Sequence, residues 1–166
     1  MAKRSKREFD YEVLADFRYE IRRYINFSER AARARGVEPH QHQALLALKG
    51  LPADAKATVG VLAERLQIQH HSAVELADRL VQRGFLRRSR SKADRREVLL
   101  NLTPSGEKVV WELSLPHRAE LRAAGRRLLH ALEAALGEAE GLTSSRATSK
   151  RIKKPARRVS KVAADA

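Results

Sequence analysis

The densest concentration of chemistry in the sequence is a cationic run that lies between two short apolar segments. Its candidate contact residues are Arg88, Arg90, Lys92, Asp94, Arg95 and Arg96. Arginine and lysine bind phosphate oxygens, and an arginine on a hairpin tip can also enter a narrow minor groove. The acidic Asp94 is predicted to pair with a neighbouring arginine and to fix its geometry. The run therefore predicts contacts with nucleic acid, and an ordinary solubilising loop is the alternative.

A helix with one polar face precedes this run. The sequence predicts it over His70–Arg83, with Gly84 as its C-terminal cap. Its apolar stripe comprises Ala73, Leu76, Ala77 and Leu80. The residues predicted to face outward and to contact DNA are Gln69, His71, Ser72, Glu75 and Arg79. His70 is predicted to lie nearer the core, in a structural or capping role.

Two of the outward residues have specific alternatives. Arg79 can bind guanine through two hydrogen bonds, or it can bind a phosphate. Glu75 can accept a hydrogen bond from the cytosine amino group, or it can pair with Arg79 one helical turn away. For all of these residues the alternative is a solvated helix face.

The neighbouring segments complete a recognisable arrangement. A short helix is predicted over Thr58–Leu66, with Thr58 as its N-cap, and Ile68 is predicted to fill the junction with the next helix. Strands are predicted over Phe85–Ser89 and Glu97–Leu102, on either side of the cationic run. The predicted fold is mainly α with a small β wing, a winged helix-turn-helix that places one helix in the DNA major groove.

The order Asp94-x-Arg96-x-x-x-Leu100-x-Leu102-Thr103-x-x-Gly106 resembles the wing signature of the MarR (multiple antibiotic resistance regulator) family. The resemblance extends from about Phe9 to about Leu136. It implies a homodimeric winged-helix transcription regulator, most often a repressor, and many such regulators release DNA when a small aromatic or phenolic compound binds. It also implies that Arg96 is the minor-groove arginine and Asp94 its orienting partner.

Apolar helices on both sides predict dimerisation. Helices are expected over Phe9–Ala34 and Pro39–Leu51, and another begins after Thr103 and is expected to kink or break at Pro116. The stripe of the first helix comprises Val13, Phe17, Ile21, Tyr24 and Ser28. The stripe of the last comprises Leu121, Gly125, Leu128, Leu132 and Ala135. Pairing with a second copy would bury these faces, and packing within one chain is the alternative. A symmetric dimer predicts a pseudo-palindromic target with half-sites about 10 base pairs apart.

Composition agrees with a polyanionic partner. Among 166 residues, Lys and Arg number 34 against 20 acidic residues, a formal charge of +14. Residues 1–8 and 143–166 are strongly basic and poor in apolar residues, so both are predicted to be disordered around a domain at 9–142, whose DNA-reading part is 38–106. The tail is interpreted either as a non-specific DNA clamp or as a solubilising segment.

Several functional classes are disfavoured. The chain has no cysteine, so thiol chemistry and thiolate metal sites are excluded. No apolar run approaches the roughly 20 residues of a membrane span, and no signal peptide is recognised, so a cytoplasmic bacterial protein without membrane contact is predicted. Neither a phosphate-binding glycine loop nor a nucleophile motif is found, and the protein is predicted not to be an enzyme and to need no cofactor.

Three functional hypotheses remain. The first is a ligand-responsive repressor, with Arg18, His40 and His42 as polar candidates for the binding of an unidentified small aromatic effector. The second is an architectural, nucleoid-associated protein whose basic ends dominate binding. The third is a metal-dependent regulator that uses His40, His42 and His117 with a glutamate.

Overall fold

A computed structural model describes residues 11–91 and 94–148, without the side chains of 137–148. Within these residues the chain is mainly helical, with one two-stranded antiparallel sheet. In order, the elements are α1 (Tyr11–Ala34), α2 (Pro39–Lys49), α3 (Val59–Leu66), α4 (His70–Gln82), β1 (Leu86–Arg90), β2 (Val98–Leu102) and α5 (Pro104–Thr148). The predicted fold class is confirmed.

One apolar cluster joins the middle of the chain. Four leucines of this cluster have at most 1% of their surface exposed: Leu45 of α2, Leu62 of α3, Leu80 of α4 and Leu100 of β2. Each comes from a different element, so burying these side chains fixes α4 and the sheet in one body with α2 and α3. The backbone N–H of Leu100 also donates to the carbonyl of Ala57 at 2.7 Å, which attaches the sheet to the segment before α3.

The helix-turn-helix forms as the sequence predicts. The Thr58 hydroxyl accepts from the backbone N–H of Val61 at 3.2 Å and caps α3. Gln67 ends α3 in the left-handed region, with φ 53°. Ile68 then packs against the buried cluster, as expected for a residue that fills the junction between α3 and α4.

The end of α4 and the strands differ slightly from the predicted bounds. Helix α4 ends at Gln82, Arg83 is its C-cap, and Gly84 follows at φ +70°. The N–H of Gly84 bonds the carbonyl of Val81, and that of Phe85 bonds the carbonyl of Leu80, both at 2.9 Å. This is a Schellman ending, in which the glycine follows the C-cap, and Gly84 therefore lies one residue beyond the C-cap instead of forming it as predicted. Both strands consequently begin one residue later than predicted, and β1 ends one residue later.

The predicted break at Pro116 is wrong, because α5 continues through it. Its start is as expected: the Thr103 hydroxyl accepts from the N–H of Gly106 at 3.2 Å and donates to the carbonyl of Gly84 at 2.6 Å. Pro116 removes one helical hydrogen bond, at a cost of about 3 kcal/mol. Buried Leu113 and His117 lie on either side of it, and their packing offsets this cost so that the helix continues.

Helices α1 and α5 pack together and retain apolar surface. The predicted α1 stripe is partly buried at every position, whereas Leu14 and Ile25 beside it remain exposed. Exposed apolar side chains continue along α5 at Trp111, Leu115, Leu121, Leu129 and Leu136. Within this chain alone, therefore, packing of α1 against α5 does not cover the apolar faces of the two helices.

Two further predicted boundaries can be compared with the structure. Helix α2 ends at Lys49 instead of Leu51, because Gly50 caps it. Helix α5 extends beyond the predicted domain end at residue 142, to Thr148. The predicted basic start, 1–8, the rest of the predicted tail, 149–166, and Lys92 lie outside the described residues.

Candidate nucleic-acid interface

The predicted outward face of α4 faces solvent. Its apolar stripe is buried, with Ala73, Ala77 and Leu80 fully enclosed. On the opposite side, Gln69, His71, Glu75 and Arg79 are exposed, and Ser72 is partly exposed. Among the described residues no ion pair joins Glu75 to Arg79, so the alternative in which they pair is not formed here. The structure thus brings these five predicted residues onto one accessible face.

The prediction for His70 is wrong. This residue is exposed and is the first residue of α4, after the N-cap Gln69. The buried stripe begins only at Ala73, one turn later, so no core surrounds the imidazole at position 70. His70 therefore stands with the solvent-facing polar residues at the start of α4.

The tip of the wing is a compact turn held by its own polar groups. Asp94 Oδ1 accepts from the backbone N–H of Arg96 at 2.9 Å, and the Asp94 carbonyl accepts from the N–H of Glu97 at 3.0 Å. Arg90 Nη1 donates to the carbonyl of Arg95 at 3.0 Å. Asp94 therefore acts as the predicted brace, but it holds the backbone at position 96 rather than a guanidinium. The side chains of Arg95 and Arg96 remain exposed.

One ion pair places the wing beside the outward face of α4. Arg88 Nη1 of β1 lies 2.7 Å from Asp78 Oδ1 of α4. Arg88 was predicted to contact DNA, but its guanidinium is engaged within the protein, and both side chains are more than a third exposed. The pair shows that β1 runs along the side of α4 that carries Asp78, and Asp78 belongs to the helix's polar face. Wing and helix therefore share one surface.

A second polar contact attaches the tip end of the hairpin to the loop before α3. Lys56 Nζ lies 2.8 Å from Glu97 Oε2, joining the loop before α3 to the residue before β2. The hydrogen bond to Glu97, followed by its negative charge, raises the pKa of Lys56 above its usual value. Asn101 Nδ2 also donates to Ser89 Oγ across the strands at 2.9 Å. The wing is thus attached near its tip as well as beside α4.

The predicted effector residues do not present their polar groups to one surface. Arg18 and His40 are exposed, whereas His42 is only 2% exposed. His42 stacks on His117 of α5, with ring centroids 4.9 Å apart and an angle of 14° between the planes. Within the described structure, neither ring nitrogen of His42 has a hydrogen-bond partner. Burial, and then the charge of His117, lowers the pKa of His42 to about 4.

His117 is held from two sides. Its Nδ1 bonds the carbonyl of Leu113, and its Nε2 lies 2.8 Å from the hydroxyl of Ser28 on α1. The ring of Phe27 meets it edge-on at 5.8 Å. Two buried imidazoles therefore join α2 to α5 and α1. Across residues 11–91 and 94–148 no group of three or more His, Asp or Glu side chains is arranged to hold a metal ion.

An open, cationic groove of about 490 Å³ lies between α1 and α5. Its lining from α1 comprises Arg22, Arg23, Asn26, Arg30 and the rings of Tyr19 and Phe27, and the acidic Glu120 lines it from α5. Arg23 is paired with Glu20 at 3.2 Å and lies over the Tyr19 ring at 5.8 Å. No ion pair involving Arg22 or Arg30 is found in the described part of the chain. Sequence analysis missed this groove, although helical spacing puts Arg22 and Arg30 on one side of α1.

Comparisons with known proteins support the geometry. Residues 35–97, from the end of α1 to the wing, match the model of the MarR family. AbsC, a MarR family transcriptional regulator from Streptomyces coelicolor, aligns with TM-score 0.63 and 21% identity, over 84% of this chain and 99% of AbsC. MepR, a transcription regulator of the Staphylococcus aureus multidrug efflux pump MepA, aligns with TM-score 0.61 and 19% identity, over 82% of this chain and 98% of MepR.

A further structure shows a MepR variant from S. aureus bound to an oligodeoxyribonucleotide. It aligns with TM-score 0.53 and 21% identity, over 86% of this chain and 99% of that one. A search of curated protein sequences gives no match. Residues 35–97 are thus similar to the MarR family of transcription regulators, and the described part of the chain has the fold of the solved MarR family structures. No helix among the described residues combines the length and apolarity that crossing a membrane requires.

Proposed function

We propose that this protein is a homodimeric, sequence-specific DNA-binding regulator that represses transcription from a pseudo-palindromic operator. The observation that carries the proposal is the shared surface of α4 and the wing. Helix α4 exposes polar side chains suited to base edges, and the Asp78–Arg88 pair holds β1 beside that same face. A helix in the major groove with a basic hairpin over the adjacent backbone is the docking geometry of such folds.

The wing tip supports a minor-groove role for Arg96. Its backbone is fixed by Asp94, while its side chain stays exposed and is free to extend. A fixed backbone lowers the entropy lost when the guanidinium enters a groove. Arg95 and Arg90 are exposed at the same tip and supply further positive charge toward phosphates.

The exposed apolar side chains of α1 and α5 support a dimer. An apolar surface that continues along two packed helices is stabilised by a symmetric partner, since a monomer would leave it in water. Two copies related by a twofold axis would present two α4 helices to successive major grooves. The operator would then contain half-sites about 10 base pairs apart.

The groove between α1 and α5 supports a response to a small aromatic effector that carries a negative charge. Its arginines offer charge-assisted hydrogen bonds to a carboxylate, and the rings of Tyr19 and Phe27 offer an apolar wall. In this proposal the effector binds near Arg22 and Arg30 rather than at Arg18, His40 and His42. The effector would act by favouring a dimer geometry that no longer fits the operator.

Replacing Arg96 tests the proposed function at its most specific residue. We expect Arg96→Ala to weaken binding to the selected operator by about 1–3 kcal/mol, because the minor-groove guanidinium is lost while the turn stays closed by Asp94. Fluorescence anisotropy with a labelled duplex measures the change. Analytical ultracentrifugation should show an unchanged oligomeric state.

The matched control is Arg33→Ala. Arg33 is an exposed cation of α1 that pairs with Glu29 at 3.1 Å, outside the proposed interface. The substitution Arg33→Ala removes the same formal charge as Arg96→Ala, so it measures how much of the loss in affinity comes from long-range electrostatics alone. Equal losses for the two variants, or no loss for Arg96→Ala, would contradict the role assigned to Arg96.

A further inference from the structure

Arg83 makes a set of contacts that the proposed DNA surface does not use. Its Nη1 donates to Gln41 Oε1 at 2.7 Å, and its Nη2 donates to the carbonyl of Gly36 at 2.9 Å. The guanidinium also lies over the ring of Phe85, 4.9 Å from the centroid. Arg83 is the C-cap of α4, so these contacts join the end of the recognition helix to the connection between α1 and α2.

Both acceptors are themselves well fixed. Gln41 is only 5% exposed, and its Oε1 also accepts from the backbone N–H of Glu38 in the capping box of α2. Gly36 lies two residues beyond the end of α1 and has a left-handed φ of +67°. One planar guanidinium with donors in a fixed fork therefore connects the C-cap of α4 to the first turn of α2 and the end of α1. The ion pairs that involve α4 or the wing, Asp78–Arg88 and Lys56–Glu97, stay within residues 38–106, whereas the hydrogen bond from Arg83 to Gly36 reaches beyond them to the end of α1.

The length of α4 amplifies any movement at this point. The helix has 13 residues, so about 20 Å separate its C-terminal end from the N-terminal turn that faces the bases. A tilt of about 10° at the Arg83 end would move that turn by about 3 Å, close to the rise of one base pair. A contact that fixes this angle also fixes where the helix lies relative to its counterpart in a dimer.

We propose that Arg83 is a positioning residue that couples α4 to the dimerisation helix α1 and thereby sets the half-site spacing that the dimer accepts. The proposal rests on the proposed function, because it requires two recognition helices on one duplex. Arg83 itself does not contact DNA in this account. It acts through Gln41 and Gly36, which connect the orientation of α4 to the end of α1.

The test measures spacing preference rather than affinity alone. The duplexes carry the half-site that the wild-type protein selects, at the selected spacing and at one base pair more or less. We expect the wild type to prefer one spacing by at least about 10-fold, since each misplaced contact costs roughly 1–3 kcal/mol. Arg83→Gln should reduce this preference to about threefold or less, because the body that contains α4, less firmly attached to the end of α1, can adapt to neighbouring spacings.

Variants of the acceptor make the test independent of any one substitution. Gln41→Leu removes the side-chain acceptor and should reduce the spacing preference as well, and the double variant with Arg83→Gln should be no worse than Arg83→Gln. Gln41→Glu keeps an acceptor and should retain the preference. Arg33→Gln is the control for loss of one cation and should also retain it.

The outcomes separate the two proposals. If the wild type selects no paired half-sites, the proposed function is overturned and this inference with it. If the wild type discriminates between spacings and Arg83→Gln discriminates equally well, only the inference is overturned. If Arg83→Gln and Gln41→Leu both lose the same affinity at every spacing and keep the spacing preference, Arg83 has a structural role only. That result would also overturn the inference alone.

Discussion

Acidification from pH 6.5 to pH 4 is expected to lower the free energy of unfolding by about 3 kcal/mol through His42 alone. The unfolded chain binds a proton on this imidazole below its ordinary pKa of 6.5, whereas burial beside His117 keeps the folded pKa at about 4. As the pH falls, the unfolded state therefore binds a proton at a higher pH than the folded state, and this favours unfolding. The stabilisation is fully present above pH 6.5 and is lost progressively as the pH falls to 4.

The measurement is urea unfolding at several pH values for the wild type and for His42→Phe. Phenylalanine keeps a planar ring against His117 and cannot titrate, so the difference between the two curves isolates His42. It also removes two ring nitrogens that have no partner among the described residues, which should stabilise the protein at neutral pH. His40→Phe, at an exposed position of the same helix, is the matched control. Parallel pH curves for wild type and His42→Phe would contradict the buried, uncharged imidazole.

Gly106→Ala is expected to destabilise the fold by about 2–3 kcal/mol or more, because its site has no space for a methyl group. A Cβ at this position would lie 2.2 Å from the carbonyl oxygen of Phe85 and 3.1 Å from its carbonyl carbon. That same oxygen accepts from the N–H of Thr103 at 3.0 Å, at the start of α5. Accommodating the methyl group therefore requires a shift of the backbone where the wing meets α5.

Gly60→Ala provides the control for Gly106→Ala. Gly60 lies in α3, and an added Cβ would find its nearest neighbour, the Thr58 hydroxyl, at an ordinary 3.7 Å. There the substitution should be neutral or stabilising by about 0.5–1 kcal/mol, since alanine favours a helix. Chemical denaturation compares the two variants. Similar stabilities would show that α5 and Phe85 are not in the close contact described here.

Local patterns in the sequence predicted most of the elements. The apolar spacing of α4 fixed which side would be buried, and Thr58 and Thr103 marked two helix starts through their capping hydroxyls. The solvent-facing polar residues of α4 followed as the opposite side of the same helix. The exposure of His70 was not predicted, because periodicity alone does not reveal how far the core extends along a helix.

What the sequence did not reveal depends on contacts between distant residues. Arg83 meets Gln41 and Gly36 across 42 and 47 positions, and no local rule relates these residue types. Pro116 signals a helix end by its own chemistry, yet packing on both sides of it outweighs the lost hydrogen bond. The stacking of His42 on His117 likewise arises only when α2 packs against α5.

The central claim is that two copies of α4, each with its wing, bind consecutive major grooves of one duplex. Selection of wild-type binders from a random DNA pool, followed by footprinting of the enriched duplex, tests it most directly. We predict an enriched inverted repeat with half-sites about 10 base pairs apart, protected on one face of the helix. Recovery of no sequence above the starting pool, or of a single unpaired site, would contradict the account.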